Sequence, residues 1–272
     1  MRKAIVVSAV LVALTMGVAA QAETLRIEGS TTVGPIADAF AEYFKGVNPK
    51  LEITVNKNGS GNGATALIEG RCDIAAMSRF MSPDEFAKAV ANKVYPVAWT
   101  ISMDGVCVVV HPSNPVRALT GVQVRDIYMG KITNWSQVGG SNTPIVVISR
   151  DTSSGTYETF ETLIMKKQPM AQGVEYVNAT PQAQARVRTT PGAIGYVGLG
   201  FLEGVKTVPI DGVAPTKQTV ANGTYPLSRP LFLFTNGFPK LGSIPFKFVT
   251  FYLTEKGQEL VEAKDFVPMT NY

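Results

Sequence analysis

Histidine and cysteine are scarce in this sequence. Its 272 residues include one histidine, His111, and two cysteines, Cys72 and Cys107. So few histidines and cysteines argue against a zinc site, because zinc takes three or four ligands from these side chains and from carboxylates. The pattern Gly-x-Ser-x-Gly of a nucleophile elbow is absent, and no run of His and Asp suits a two-metal site. We therefore expect no metal, no cofactor and no enzymatic activity.

A secreted phosphatase or serine hydrolase acting through Ser154 or Ser60 is the enzyme alternative. Such a serine needs a base within hydrogen-bond reach. The one histidine lies in the proline-flanked segment 111–115, which is typical of a link between domains. The sequence therefore favours binding over catalysis.

The chain also has little net charge. It carries 25 basic and 21 acidic side chains, and residues 1–22 contain two of the basic ones, so the remainder carries 23 − 21 = +2. A charge this small argues against nucleic acid as a partner. The glycine-rich segment 58–63 lacks a following Lys-Ser/Thr, and its glycine spacing is not that of a dinucleotide fold. Nucleotide phosphates are therefore not the expected ligand.

The one long apolar run lies at the amino terminus. Arg2 and Lys3 precede residues 4–20, and the run ends in Ala20-Gln21-Ala22. These features predict a signal peptide of residues 1–22, cleaved after Ala22, and hence a periplasmic protein. The run is short for a membrane-spanning anchor. In an exported chain a disulfide between the two cysteines is permitted, and a bridge between neighbouring strands and a pair of buried thiols both stay open.

Hydrophobic periodicity predicts alternating strands and helices from residue 24 onward. This alternation is typical of an α/β fold in which each sheet is mainly parallel and flanked by helices. Strands are predicted at 25–28, 51–55, 73–77, 94–102, 106–111, 145–149, 194–197 and 231–234, and helices at 33–44, 64–69, from 82, at 121–129, 154–166, 245–253 and 255–263.

Two zones rich in Pro, Asn and Gly divide the chain, at residues 111–115 and 211–226. They predict a first lobe built from residues 23–110 and 226–272 and a second lobe from residues 111–225. Two lobes joined by crossing strands enclose a cleft, which is where ligands commonly bind.

Small hydroxyl residues and glycines follow four of the predicted strands. They occupy residues 29–35, 58–63, 77–79 and 150–156. Ligands of parallel α/β sheets bind beyond the carboxyl ends of the strands. Helix-terminal amides, hydroxyls and the guanidinium of Arg150 together suit a tetrahedral anion, whereas any one junction alone could be an ordinary helix cap. The recurrence at four strand ends favours an anion site.

Several motifs occur in an order and spacing that resemble the periplasmic phosphate-binding proteins of ABC transporters. They include GSTTVGP, NGSGNG, CDIAAMSR, IVVISRDTSSGT, TPGAIGYVGLG and YPLSRPLFLF, and the resemblance covers the chain after residue 22. It implies a class II two-lobe binding fold that encloses inorganic phosphate and delivers it to a membrane permease. We expect a monomer with no nucleic-acid partner. A binding protein or sensor for sulfate, molybdate or tungstate is the alternative.

The resemblance also implies which residues bind the anion. Some family members place a carboxylate acceptor in the third loop, where this chain has Ser78 followed by Arg79, so the acceptor is uncertain and Arg79 either contacts the anion or bridges the lobes. The positions carried over are Thr31 and Thr32 with Ser30 in support, Ser60, Ser78, Arg79, Arg150, Ser154, Gly155 and Thr156.

Phosphate keeps a proton at neutral pH, whereas sulfate keeps none, so a buried carboxylate accepts a hydrogen bond from the first and repels the second. Asp104 is our candidate for this carboxylate, with a turn aspartate before Gly105 as the alternative.

Four other residues have secondary expectations. Asp151 could orient Arg150, and Arg229 is expected at a hinge or in a salt bridge between lobes. Tyr128 and Trp135 are expected to pack in the core.

Overall fold

The computed structural model describes residues 23–269, so the predicted signal peptide and its cleavage after Ala22 lie outside the described residues. The strands of this part are β1 Thr24–Gly29, β2 Glu52–Lys57, β3 Ile74–Met77, β4 Pro96–Gly105, β5 Cys107–Val110, β6 Val146–Arg150, β7 Glu175–Val177, β8 Ala193–Val197, β9 Lys206–Thr207 and β10 Ser228–Asn236. The helices are α1 Gly34–Val47, α2 Ser60–Ile68, α3 Pro83–Ala91, α4 Gly121–Tyr128, α5 Gly155–Phe160, α6 Thr180–Thr189, α7 Lys217–Ala221, α8 Ile244–Thr250 and α9 Glu255–Glu262.

These strands form two five-stranded sheets of matching design. Sheet 1 has the order β2-β1-β3-β10-β4 and sheet 2 the order β7-β6-β8-β5-β9. In sheet 1 the strand β1 runs parallel to β2 and β3, and β10 is antiparallel to β3 and β4. In sheet 2 the strand β6 runs parallel to β7 and β8, and β5 is antiparallel to β8 and β9. The predicted α/β fold with two sheets is confirmed. Each sheet contains three neighbouring parallel strands, which we call its parallel trio, and two further strands, of which the one next to the trio runs antiparallel to it.

The chain changes sheets at Val106, between β4 and β5. We call sheet 1 with its helices lobe 1, and sheet 2 with its helices lobe 2. Our prediction placed Cys107–Val110 in the first lobe, but this strand pairs with β8 and β9 in sheet 2. The sequence misled us because residues 106–110 are uniformly apolar, and the Pro/Asn-rich link follows β5 instead of preceding it.

Alternate residues of β1 are buried, as expected for a strand that faces a packed layer on one side. Leu25 and Ile27 are fully buried, whereas Thr24 and Arg26 are exposed. On the adjoining helix α1, the ring of Phe40 packs edge-on against the aromatic ring of Phe251, with centroids 4.9 Å apart.

Cys72 and Cys107 are both buried free thiols. Cys72 lies in the smaller hydrophobic cluster of lobe 1, together with Met77 and Phe234, and Cys107 lies in β5 of sheet 2. The disulfide alternative is therefore wrong, because Cys72 precedes β3 in lobe 1 and Cys107 lies in sheet 2 of lobe 2.

Tyr128 and Trp135 pack in the interior of lobe 2, as predicted. The Tyr128 hydroxyl donates to the carbonyl of Ile148 at 2.9 Å, and the Trp135 indole donates to the carbonyl of Gly192 at 2.8 Å. Both rings are almost fully buried with their polar atoms satisfied.

Three local predictions differ from the structure. Helix α2 begins at Ser60, earlier than the predicted residue 64, because Gly59 adopts a positive φ of 109° that admits the turn directly before it. Helix α5 ends at Phe160 and continues as a π-helical turn, Glu161–Met165, which the pattern had merged into one helix. Strands β7 and β9 and helices α6 and α7 were not predicted at all.

Candidate functional site

The carboxyl ends of the parallel trios of both sheets meet at the contact between the lobes. The amide of Gly61 in lobe 1 donates to the carbonyl of Ser153 in lobe 2 at 3.0 Å. The hydroxyl oxygens of Thr32 and Thr156 are also 3.0 Å apart across the same contact. The four junctions that the sequence singled out therefore converge on one place.

In lobe 1, the β1–α1 loop directs two threonines toward lobe 2. Ser30 Oγ accepts hydrogen bonds from the amides of Thr32 at 3.1 Å and Val33 at 3.2 Å, so this side chain fixes the loop. Gly29 has a φ of +134°, and any side chain there would collide with the carbonyl of Ala76. Hence the loop can lie directly over strand β3 only with glycine at this position.

Two serines extend this wall of lobe 1. Ser60 opens helix α2 and Ser78 follows β3, and both are fully buried. Ser60 Oγ accepts a hydrogen bond from the amide of Ser78 at 3.1 Å and lies 3.3 Å from Ser78 Oγ. Lobe 1 therefore offers mainly neutral hydroxyls to the contact.

In lobe 2, the β6–α5 junction supplies a cap and a close approach. Ser154 is the N-cap of α5, and its Oγ accepts a hydrogen bond from the amide of Tyr157 at 3.3 Å. A Cβ added to Gly155 would lie 2.6 Å from Ser60 Oγ and 2.8 Å from Ser78 Oγ. Glycine at this position thus lets the lobes come together.

Arg150, the last residue of β6, is a buried cation whose side chain bonds only to neutral acceptors. It is 1% exposed, and its side chain donates to Thr180 Oγ1 at 2.8 Å, to the carbonyl of Asn178 at 3.0 Å and to that of Val177 at 3.2 Å. Within residues 23–269 no carboxylate oxygen lies within ion-pair distance of it. Burial lowers the pKa of Arg150 to about 10, which still leaves the group charged at neutral pH.

Asp151 does not form the predicted pair with Arg150. Its Oδ1 accepts from the Ser153 amide at 2.8 Å and from the Ser153 hydroxyl at 2.6 Å. The carboxylate therefore shapes the loop that follows β6, because an aspartate readily bonds to the backbone two residues ahead of it.

Thr180, which the sequence analysis missed, lies at the centre of the hydroxyl cluster. It is fully buried, and its Oγ1 lies 3.0 Å from Thr31 Oγ1 and 2.9 Å from Thr32 Oγ1. Its amide donates to Thr31 Oγ1 at 3.1 Å. A signal existed in the sequence, because Thr180 also follows a strand and opens a helix, but β7 has only three residues and shows no strand pattern.

Asp104 and Arg229 form a buried ion pair on the crossing strands. They are direct partners in the pairing of β4 with β10. The guanidinium donates to Asp104 Oδ2 through Nη2 at 2.8 Å and Nε at 3.0 Å, and Asp104 Oδ1 accepts from the amide of Leu199 in lobe 2 at 2.8 Å. Burial raises the pKa of the Asp104 carboxyl, and the charge of Arg229 opposes that rise.

Arg229 also reaches lobe 2, through a hydrogen bond from Nη2 to Thr156 Oγ1 at 3.0 Å. The salt bridge of Arg229 was expected to join the lobes, but it joins two strands of sheet 1. The contact of Arg229 that crosses between the lobes is the hydrogen bond to the Thr156 hydroxyl.

Arg79 bridges the lobes with carboxylates on both sides. Its Nη1 and Nη2 donate to the two oxygens of Glu85 in lobe 1, each at 2.7 Å, and its Nε lies 2.7 Å from Glu158 Oε2 on α5. Burial alone would raise the pKa of Glu85, but hydrogen bonds from Arg79 and from Ser82 hold it below its usual value. Of the two roles considered for Arg79, contact with the anion or a bridge between the lobes, the observed contacts are those of a bridge.

Within residues 23–269, no group of three or more His, Cys, Asp and Glu side chains is arranged to hold a metal ion. The same residues contain no helix of the length and apolarity needed to cross a membrane.

A family model described as "PBP superfamily domain" matches residues 15–256. Protein SphX of Synechococcus elongatus is 33% identical over 269 residues, covering 92% of this chain and 79% of that protein. Phosphate-binding protein PstS of Bacillus subtilis is 30% identical over 251 residues, covering 91% of this chain and 81% of that protein.

Solved structures agree with these relatives. A putative phosphate ABC transporter substrate-binding protein from Clostridium perfringens, solved with bound phosphate, superposes with a TM-score of 0.84 at 33% identity, covering 91% of this chain and all of that one. An ABC-type phosphate transport receptor from Vibrio cholerae gives a TM-score of 0.72 at 31% identity, covering 89% of this chain and 99% of that one.

Proposed function

Because the chain belongs to the PBP superfamily, and within it to the family of phosphate-binding proteins of ABC transporters, we propose that it captures inorganic phosphate between its lobes and delivers it to a membrane permease. The proposal places the protein outside the cytoplasm, in the periplasm after cleavage behind Ala22. It acts as a monomer without a nucleic-acid partner, and it binds its ligand without chemical turnover.

The observation that carries this proposal is that buried Arg150 has no carboxylate within ion-pair distance among residues 23–269. A buried guanidinium without a carboxylate partner has lost its hydration and has gained only neutral acceptors in return. Removing a charge from water is costly, so a buried cation in a contact lined by hydroxyls favours an anion that enters with it. Inorganic phosphate offers four oxygens to the donors of both lobes.

The placement of the predicted residues supports a proposed ligand set. Arg150 supplies the charge, and amides and hydroxyls from both lobes supply the remaining donors. Ser30 and Thr180 position their neighbours, and Arg79 holds the lobes together while it contacts the rim of the site. We propose as direct phosphate ligands Thr31, Thr32, Ser60, Ser78, Arg150, Ser154, Gly155 and Thr156, with Asp104 as the proton acceptor.

We assign selectivity to Asp104 because it is a fully buried carboxylate joined to Thr156 through Arg229. Arg229, the Leu199 amide and the backbone of Gly105 already stabilise its charge. A further hydrogen bond can come only from an anion that carries a proton, and an anion without one is repelled. Asp104→Asn is therefore expected to weaken phosphate binding and to improve sulfate binding.

Titration calorimetry of the mature protein tests the proposal. The protein is first unfolded and refolded to remove bound ligand, and it is then titrated with phosphate, sulfate and molybdate. Saturable heat with phosphate at one site per chain is expected. No heat with phosphate, or tighter binding of sulfate or molybdate, would reject phosphate as the ligand.

A p-nitrophenyl phosphate assay of the same preparation tests the enzyme alternative. Turnover that disappears in Ser154→Ala would show a phosphatase, whereas no turnover in the presence of tight phosphate binding supports a receptor.

A further inference from the structure

Arg229 holds a second buried positive charge beside the candidate site. Its side chain is 5% exposed and lies at the start of β10, where the chain returns from lobe 2 to lobe 1. The Nε and Nη2 protons that face Asp104 leave one further Nη2 proton, which points to Thr156 Oγ1. One edge of the planar guanidinium is thus neutralised by a carboxylate, and its far end is directed at a hydroxyl of lobe 2.

The other nitrogen at that far end has no partner. Arg229 Nη1 is buried and has no hydrogen-bond partner among residues 23–269. Buried polar groups nearly always have partners, and an unsatisfied nitrogen of a charged group is costly. Because Nη1 and Nη2 lie side by side in one plane, the free protons of Nη1 are close to the bond that Nη2 makes to Thr156.

Three threonine hydroxyls link Arg229 to Arg150. Arg150 Nη1 donates to Thr180 Oγ1 at 2.8 Å, and Thr180 Oγ1 lies 2.9 Å from Thr32 Oγ1. Thr32 Oγ1 lies 3.0 Å from Thr156 Oγ1, which accepts from Arg229 Nη2 at 3.0 Å. Both arginines therefore donate into the same hydroxyl cluster, from lobe 2 and from the crossing strand of lobe 1.

The two cations also repel each other. Burial lowers the pKa of Arg150, the charge of Asp151 opposes this effect, and the charge of Arg229 makes a smaller contribution in the same direction as burial. When the lobes close without an anion, this repulsion acts in a desolvated contact, where Coulomb interactions are strong. An anion that contacts both guanidiniums offsets the repulsion in the closed state. Because it then binds the closed state more tightly than the open state, it shifts the equilibrium toward closure.

We propose that Arg229 is a second cationic phosphate ligand, which donates through Nη1 and works with Arg150 to make lobe closure depend on a bound dianion. This inference rests on the proposed function. Asp104 then has two tasks, since it holds Arg229 in place and neutralises part of its charge.

Arg229→Gln tests the inference by calorimetry with phosphate. Hydrogen bonds to charged groups contribute enough for an expected loss of affinity of about 10- to 100-fold. The matched control is Arg186→Gln, because Arg186 forms an exposed ion pair with Glu175 on the outside of lobe 2 and should leave the affinity unchanged. Equal phosphate affinity in Arg229→Gln and the native protein overturns the inference while leaving the proposed function intact. An absence of phosphate binding in the native protein would overturn both.

A second comparison separates ligation from a purely structural role, and it also covers misfolding of the single variant. Arg229→Gln leaves Asp104 buried without a counter-charge, and this alone could disturb the fold. The substitution Arg229→Gln is therefore also made in the Asp104→Asn variant, where there is no carboxylate to neutralise. If Arg229 only neutralises Asp104, the double variant binds phosphate as well as Asp104→Asn does, and the inference is wrong. A further loss of about 10-fold or more in the double variant supports direct ligation.

Phosphorus NMR of the bound anion gives a readout that a structural role does not move. Two cations stabilise the dianion over the monoanion. Phosphate bound to Asp104→Asn/Arg229→Gln is therefore expected to keep its second proton to higher pH than phosphate bound to Asp104→Asn. Identical titration of the bound phosphorus signal in the two proteins would contradict the inference.

Discussion

Arg150, which is buried, and Arg79, whose side chain is 10% exposed, both lie at the contact between the lobes, but their surroundings differ. Arg150 at the centre donates only to a hydroxyl and two carbonyl oxygens. Arg79 at the rim is held by the carboxylates of Glu85 and Glu158. Within residues 23–269, Arg150 therefore has no ion-pair partner, whereas the charge of Arg79 is neutralised by two carboxylates.

These different surroundings suit the two arginines to different tasks in the proposed function. A cation paired with two carboxylates has little attraction left for an anion, so Arg79 suits the joining of surfaces. A cation among neutral acceptors keeps its attraction, so Arg150 suits binding. The type of residue is the same in both cases, and the neighbouring carboxylates decide its role.

Arg150→Gln should have the largest effect on phosphate affinity. It removes the one uncompensated charge of the centre, so phosphate affinity is expected to fall by about 100-fold or more, as for a buried charge that loses its partner. The melting temperature of the ligand-free protein should stay the same or rise, because a costly buried charge has gone. Calorimetry and thermal melting check both outcomes. An affinity within a few-fold of the native value would contradict the central role of Arg150.

Gly155→Ala should be the next largest change. The new methyl would lie 2.6 Å from Ser60 Oγ and 2.9 Å from Arg79 Cγ, so the lobes could not close fully. We expect a loss of phosphate affinity of about 10-fold or more, with a larger radius of gyration in the presence of phosphate. Gly46→Ala is the control, since nothing lies within 4 Å of its added Cβ. Compact scattering with phosphate in Gly155→Ala would show that closure tolerates the methyl group.

Thr180→Val should weaken the centre without altering charge. Valine keeps the shape but removes the oxygen that accepts from Arg150 Nη1, and we expect a loss in phosphate affinity of about 10-fold. Thr189→Val at the other end of α6 is the control, because the Thr189 hydroxyl bonds only to carbonyls of its own helix. Equal affinity in the two variants would remove Thr180 from the site.

Arg79→Gln should have the smallest effect. Neither carboxylate partner is a proposed ligand, so the loss in phosphate affinity is expected to be a few-fold and to arise mainly from faster dissociation. Glu158→Gln should reproduce it, because both changes remove the same pair between the lobes. Stopped-flow dissociation measures this effect. A loss as large as that of Arg150→Gln would show that Arg79 binds the anion directly.

The sequence predicted most of the site from the junctions after strands. Thr32 and Ser60 converge because the carboxyl ends of parallel strands share one edge of sheet 1. Thr156 follows a strand of sheet 2 and meets them only across the contact between the lobes. Thr180 obeys the same rule but was missed, since its strand is too short to show a pattern. The contacts of Asp104 depend on the register of β4 with β10, two strands more than a hundred residues apart in sequence, and no local pattern encodes that pairing.

The α/β architecture and the hydroxyls and helix starts at the strand ends could be predicted from the sequence alone. Both follow from local physics, namely side-chain periodicity and the unpaired amides and hydroxyls at helix starts. The pairing of the charges depends on the tertiary structure: within residues 23–269, Arg79 lies against two carboxylates, Arg229 lies against one, and Arg150 has none within ion-pair distance. Electrostatic role depends on distance and burial, which arise only when segments remote in sequence are brought together.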